Sequence, residues 1–143
     1  LKEQTLAIIK PDSMEKRCFG EIIQRLLDEK FNILKMKHLK LTREQAEKFY
    51  EIHKNKPFFR DLVNFMTSGS VIVIALEREN AVNYLREIMG STDPGKAAPS
   101  TIRSRYGSDI QRNAIHGSDS EQNARKELSF FFAQYEIMEN ISE

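Results

Sequence analysis

Six consecutive residues, Val71-Ile-Val-Ile-Ala-Leu76, form an unbroken apolar run rich in β-branched side chains. Neighbouring side chains of a strand point to opposite faces, so a run without polar alternation reads as a central strand buried on both sides. It is far too short to span a bilayer. Other segments fit around it. Thr5 to Ile9 reads as a short buried strand stopped by Pro11-Asp12, and Gly20 to Lys30 carries Ile22, Ile23, Leu26 and Leu27 at helical spacing. Asn32 to Leu41 reads as a strand, although Ile33 stands on one parity and Leu34, Met36 and His38 on the other.

Thr42-Arg-Glu-Gln45 is a capping box, with Ala46, Phe49, Tyr50 and His53 following at helical spacing. Lys56-Pro57 ends that helix, and Phe58 to Met66 forms a second, shorter one. Asn80 can cap a helix running to Met89, with Gly90 as its stop. From 90 to 112, Gly, Pro, Ser, Thr and Arg dominate and no period holds; a loop of that length is usually functional or disordered. Ala114-Ile115 suits a short strand. Ser118-Asp-Ser-Glu121 reads as a second capping box, opening a helix with Ala124, Leu128 and Phe131 inward. The order predicts a single α+β domain over residues 1–143 of the ferredoxin-like βαββαβ type. It has a four-stranded antiparallel sheet, helices packed on it and a long loop before the last strand.

The chain has 143 residues, enough for one domain with a substantial core. Its 22 Lys and Arg balance 21 Asp and Glu, so no global charge calls for nucleic acid or an anionic membrane. The lone cysteine, Cys18, excludes an intrachain disulfide and fits a reducing compartment; it reads as a half-buried packing residue, with an intersubunit bridge the minor alternative. No signal peptide is visible. The sequence opens on Leu1, which leaves a preceding segment open.

The stretch richest in chemistry is Asn113-Ala-Ile-His-Gly-Ser-Asp-Ser120. A lone histidine is more often structural than catalytic. Here, however, Ser118 to Ser120 offers a helix start, whose free N–H groups and dipole attract anions, and Gly117 removes bulk beside the ring. Glu127 lies at the edge of the Ala124–Leu128–Phe131 stripe. It either accepts from one nitrogen of His116, freeing the other as a nucleophile, or it reaches water. Arg86, at the edge of the Val82–Leu85–Met89 stripe, either enters a polar cleft or snorkels from the surface. Arg103 in the long loop and Lys10 at the end of the first strand are either solvated or converge on an anion, as a transferring phosphoryl group requires. Of Phe58 and Phe59, one suits the core and the other a stacking platform for a base. Gly90 to Lys96 matches the first seven positions of a P-loop. The eighth is Ala97 instead of Ser or Thr, and the glycines follow a helix, so that reading is rejected.

The octapeptide resembles the signature of nucleoside diphosphate kinases, and the resemblance runs through nearly the whole chain. It includes Lys10-Pro-Asp12, Phe49-Tyr50, Lys56-Pro-Phe-Phe59, Gly90-Ser-Thr92-Asp-Pro94 and Thr101-Ile-Arg103. It implies a ping-pong reaction in which His116 takes a γ-phosphate on Nδ1 and a nucleoside diphosphate collects it. Glu127 would orient the ring, with Ser118 beside the pair. Lys10, Tyr50, Arg86, Thr92, Arg103 and Asn113 would bind phosphates and sugar, and Phe58 would stack on the base. The resemblance also implies Mg2+ held mainly by nucleotide phosphates and water, and a cytoplasmic homo-oligomer built from dimers. The early end at Glu143 resembles the short bacterial form and favours a tetramer over a hexamer. Ser104 to Ile110 departs from the usual family version.

Two other classes compete. A non-catalytic member of the same fold would be expected to lack one of these residues, and the set is complete. A nucleic-acid-binding sheet protein would need a basic, aromatic strand face, which Val71 to Leu76 does not offer.

Overall fold

The computed structural model describes residues 1–138; Glu143, on which the short-tail expectation rests, lies outside them. The apolar run sits in the strand β3 (Val71–Glu79), which lies between β1 (Lys2–Ile9) and β2 (Asn32–Leu39); the short β4 (Ile115–Gly117) pairs with the other side of β1. The sheet order among the described residues is β2-β3-β1-β4 and every pairing is antiparallel, as the ferredoxin-like α+β expectation requires.

Alternation along the strands explains the unbroken run. Ile72, Ile74 and Leu76, with Ala7 and Ile9, face one core shared with helices α2 (Phe19–Asp28) and α5 (Ala81–Met89). Val71, Val73 and Ala75, with Leu6 and Ile8, face a second core shared with α3 (Arg43–Phe49), α4 (Phe59–Met66) and α7 (Glu121–Phe131). All six residues of the run are buried, and both faces of the strand are covered, as expected. The two parities within β2 have a local cause: a bulge shifts the register between Ile33 and Lys35 and swaps the faces of the side chains that follow.

Several local expectations are corrected. Pro11 does more than stop β1: it opens a short helix, α1 (Pro11–Glu15), in keeping with proline's fixed φ at a first helical position. Asn80 adopts a left-handed conformation, and its side chain makes no capping bond; Glu3 reaches across instead and accepts from the Val82 N–H at 2.8 Å. The stretch 90–112 is not all irregular. It contains a 3-10 turn at Pro94–Lys96 and the helix α6 (Ile102–Tyr106), capped by the Thr101 hydroxyl. Ser118 does not cap α7. Ser120 does, accepting from Asn123 N–H at 3.0 Å, while the Ser118 N–H joins the sheet through Leu6 O. Cys18 is fully inside the first core, so an intersubunit bridge through it has no access.

Candidate active site

The pairing of β4 with β1 decides where His116 points. His116 lies opposite Ile8, and cross-strand partners share a face, so the imidazole projects to the side of α3, α4 and α7. Its neighbours Ile115 and Gly117 face α5. A Cβ on Gly117 would lie 2.5 Å from Met89 Sδ and 3.0 Å from Leu85, so this glycine lets β4 pack against α5. That corrects the expectation that Gly117 opens space beside the ring.

The ring is held on several sides. Its Nε2 lies 2.8 Å from Glu127 Oε1, and the same oxygen accepts the Ser118 hydroxyl at 2.7 Å. The carboxylate acceptor fixes the proton on Nε2 and leaves Nδ1 with its lone pair free. Phe49 and Tyr50 meet the ring edge-on, with centroids 5.6 and 6.3 Å away. Glu127 thus partners the ring instead of merely reaching water. Ser118 is fully buried and acts on the ring only through Glu127.

His116 and Glu127 open onto a cleft of about 880 Å³, which Lys10, Tyr50, Phe58, Arg86, Thr92, Arg103 and Asn113 also line. Of the site residues that the family resemblance implies, Ser118 is the one that does not border it. Lys10 is 6% exposed, and its ammonium donates to Asn113 Oδ1 and Gln111 O, both at 2.8 Å. Burial, and next the charge of Arg103, lower its pKa to about 8. Arg103 spends its guanidinium on three backbone carbonyls: Ile115 at 2.8 Å, Gly90 at 3.2 Å and Asn113 at 3.3 Å. Burial, then the Arg86 charge, bring its pKa down to about 10. It is no solvated loop residue but a strut between the long loop and β4. Asn113 completes the brace, its amide donating to Thr92 O at 3.0 Å and Ile110 O at 2.8 Å. Arg86 lies at the cleft surface, with Gly117 O 3.4 Å from Nη1. Tyr50 is buried with its phenol pKa raised, first by burial and then by the Glu127 charge.

The cleft mouth is apolar. Phe59 packs into the second core, while Phe58 is 47% exposed and touches His53, centroids 5.5 Å apart. Ile110, 63% exposed, lines the same cleft from the long loop, as does Ile52 from the helical hairpin. Sequence reasoning missed Ile110; its signal was a lone isoleucine among polar loop residues.

A histidine with one nitrogen held by a carboxylate, on a cleft that the buried cations Lys10 and Arg103 also line, suits acceptance of a phosphoryl group. The nucleoside diphosphate kinase family model matches residues 3–137. The chain belongs to the nucleoside diphosphate kinase family. A nucleoside diphosphate kinase of a Nitratiruptor species is 54% identical over 136 residues, covering 95% of this chain and 99% of that one. One from Legionella pneumophila is 52% identical over 136 residues, covering 95% and 96%. Among solved structures, the Aquifex aeolicus nucleoside diphosphate kinase superposes with a TM-score of 0.94 at 45% identity, covering 96% of this chain and all (100%) of that one. A halophilic nucleoside diphosphate kinase from Halobacterium salinarum, solved in complex with CDP, gives 0.92 at 37% identity, covering 97% and 93%. As a nucleoside diphosphate kinase, the chain is an enzyme of phosphate transfer between nucleotides. Among the described residues, no helix is long and apolar enough to cross a membrane.

Proposed function

We propose that the protein carries a γ-phosphate on Nδ1 of His116, taking it from a nucleoside triphosphate and handing it to a nucleoside diphosphate in one cleft. The observation that carries this reading is the bond from His116 Nε2 to Glu127 Oε1, which frees Nδ1. In the first half-reaction Nδ1 attacks the γ-phosphorus and the bond to the β-phosphate oxygen breaks, leaving the diphosphate. The second half-reaction is the reverse, with a new diphosphate oxygen attacking the phosphohistidine. Glu127 stabilises the positive charge that the ring gains, and Ser118 holds the carboxylate in place.

The protein's remaining work is positioning and charge. Lys10, Arg86 and Arg103 supply cations from three segments, and Tyr50 and Thr92 supply hydroxyls to phosphate oxygens. Lys10 and Asn113, already joined at 2.8 Å, read the sugar hydroxyls. Phe58 and Ile110, two exposed apolar side chains on one cleft, grip the faces of the base, a contact that tolerates any base because every base has a π-face.

The residues present suit Mg2+ that arrives on the nucleotide. Among the described residues no group of three His, Cys, Asp or Glu could hold such an ion; phosphate and water oxygens would hold it. Bound there, it neutralises charge on the phosphates. We further infer a cytoplasmic homo-oligomer of dimers, with a tetramer ahead of a hexamer. In support, among the described residues β2 pairs only with β3 and exposes Met36. Light scattering separates the masses. The mechanism is tested by His116→Ala, which should abolish transfer from ATP to GDP; a variant still transferring at the normal rate would sink it.

A further inference from the structure

The carboxylate of Asp12 is 5% exposed and has no part in the chemistry described so far. It follows Lys10 and Pro11 in α1, and its Oδ2 accepts the Ala114 N–H at 3.0 Å. Ala114 is fully buried and left-handed, with φ 77, a conformation that alanine rarely adopts. Its carbonyl accepts from Lys10 N–H at 3.0 Å and from the Ser13 hydroxyl at 3.1 Å. Residues 10–13 therefore grip the Ala114 peptide units from both sides. Ala114 joins Asn113, the partner of the Lys10 ammonium, to the strand that bears His116. A change in φ at Ala114 would swing Lys10 and Asn113 relative to the imidazole.

We propose that Asp12 is a positioning residue for phosphate transfer: it locks the left-handed turn that sets Lys10 and Asn113 against His116, and its charge balances Lys10 against Arg103. The proposal rests on the phosphohistidine reading above. The charged groups acting on Lys10 are Arg103 from α6, Asp12 from α1 and Asp109 from the long loop, with Arg112 across the shared Phe65 ring. Burial and Arg103 work against the ammonium; Asp12 is the larger of the two carboxylate influences in its favour. The second oxygen, Oδ1, is buried without a hydrogen-bond partner among the described residues. A serine or asparagine could accept the Ala114 N–H; only a carboxylate also acts on Lys10.

The test is the pH profile of kcat/KM for ATP-dependent phosphorylation of the unmodified protein, Asp12→Asn, Asp12→Glu and Lys10→Arg. If the unmodified protein takes no phosphate on histidine, the functional reading fails and Asp12 is not at issue. Given phosphorylation, Lys10→Arg should lack the alkaline limb, since arginine stays charged. Asp12→Asn, which can still accept the Ala114 N–H but has one raising influence removed, should lose activity at lower pH than the unmodified protein. Asp12→Glu keeps the charge and should keep the limb. An alkaline limb at the same pH in Asp12→Asn and the unmodified protein overturns the proposal. Should Asp12→Asn not fold, hydrogen exchange of the unmodified protein decides: the Ala114 amide should be as protected as the β4 amides, and exchange as fast as that of an unstructured peptide overturns the proposal.

Discussion

Replacing Glu127 by Gln keeps the shape of the side chain and removes its charge. Oε1 accepts from His116 Nε2 at 2.8 Å and from Ser118 Oγ at 2.7 Å, and a glutamine oxygen can keep both bonds. Only the bond to the ring strengthens as the reaction proceeds, because the ring gains positive charge while Nδ1 bonds to phosphorus. A hydrogen bond to a charged group contributes about 1.5–3 kcal/mol, and one between neutral groups about 0.5–1.5 kcal/mol. The difference, about 1–1.5 kcal/mol, corresponds to roughly a tenfold slower phosphoryl transfer. The assay is rapid-quench measurement of a single turnover with labelled ATP, beside a titration of ADP affinity. The phosphorylation rate should fall about tenfold and ADP affinity should hold. An unchanged rate would refute the role given to the carboxylate, and a collapse of ADP affinity would make Glu127 a structural residue instead.

Lys10 gives a prediction with opposite signs in two measurements. Its pKa in the folded protein is about 8, against about 10.4 in an unfolded chain. Between those values the unfolded state binds more protons, so stability should rise with pH, whereas kcat/KM should fall above about 8 as the ammonium is lost; urea unfolding and initial rates across that range check both, and stability falling in the same window contradicts the burial argument. Phe58→Ala should raise the nucleotide KM with little change in kcat, stacking on an aromatic ring being worth about 1–3 kcal/mol, and Ile110→Ala should raise it less; steady-state rates with ADP and GDP would expose an unaffected KM. Gly117→Ala should lower the thermal midpoint through a clash with Met89 and Leu85 that costs about 1–3 kcal/mol. An unchanged midpoint would mean that β4 and α5 part easily.

Strong periodic signals were legible. The Val71–Leu76 run, the Thr42–Gln45 capping box and the stripes of α5 and α7 led to their elements because burial and capping act within a few residues of sequence. What failed involved partners far along the chain. Glu3 took over the N-terminus of α5 from Asn80, and Leu6 claimed the Ser118 N–H for the sheet, which moved the cap to Ser120. The loop from 90 to 112 concealed α6 because the helix has only five residues, too few for a period to show; Ile102 and Tyr106 anchor it in the first core, and Arg103 ties it to carbonyls at Gly90, Asn113 and Ile115. The members of the cleft were identified through the family resemblance more than through spacing. Residue types alone left Lys10, Arg86 and Arg103 balanced between solvent and site, and only the pairing of β4 with β1 brings them beside His116.

The central claim is that the phosphate rests on His116 Nδ1 between donor and acceptor. Incubating the protein with γ-labelled ATP and no acceptor, then mapping the label by mass spectrometry and phosphorus NMR, tests it directly. The account predicts an acid-labile, alkali-stable phosphate on Nδ1 of His116 that added GDP removes as GTP. Transfer to GDP with no such intermediate, or a phosphate on Nε2 or another residue, would contradict it.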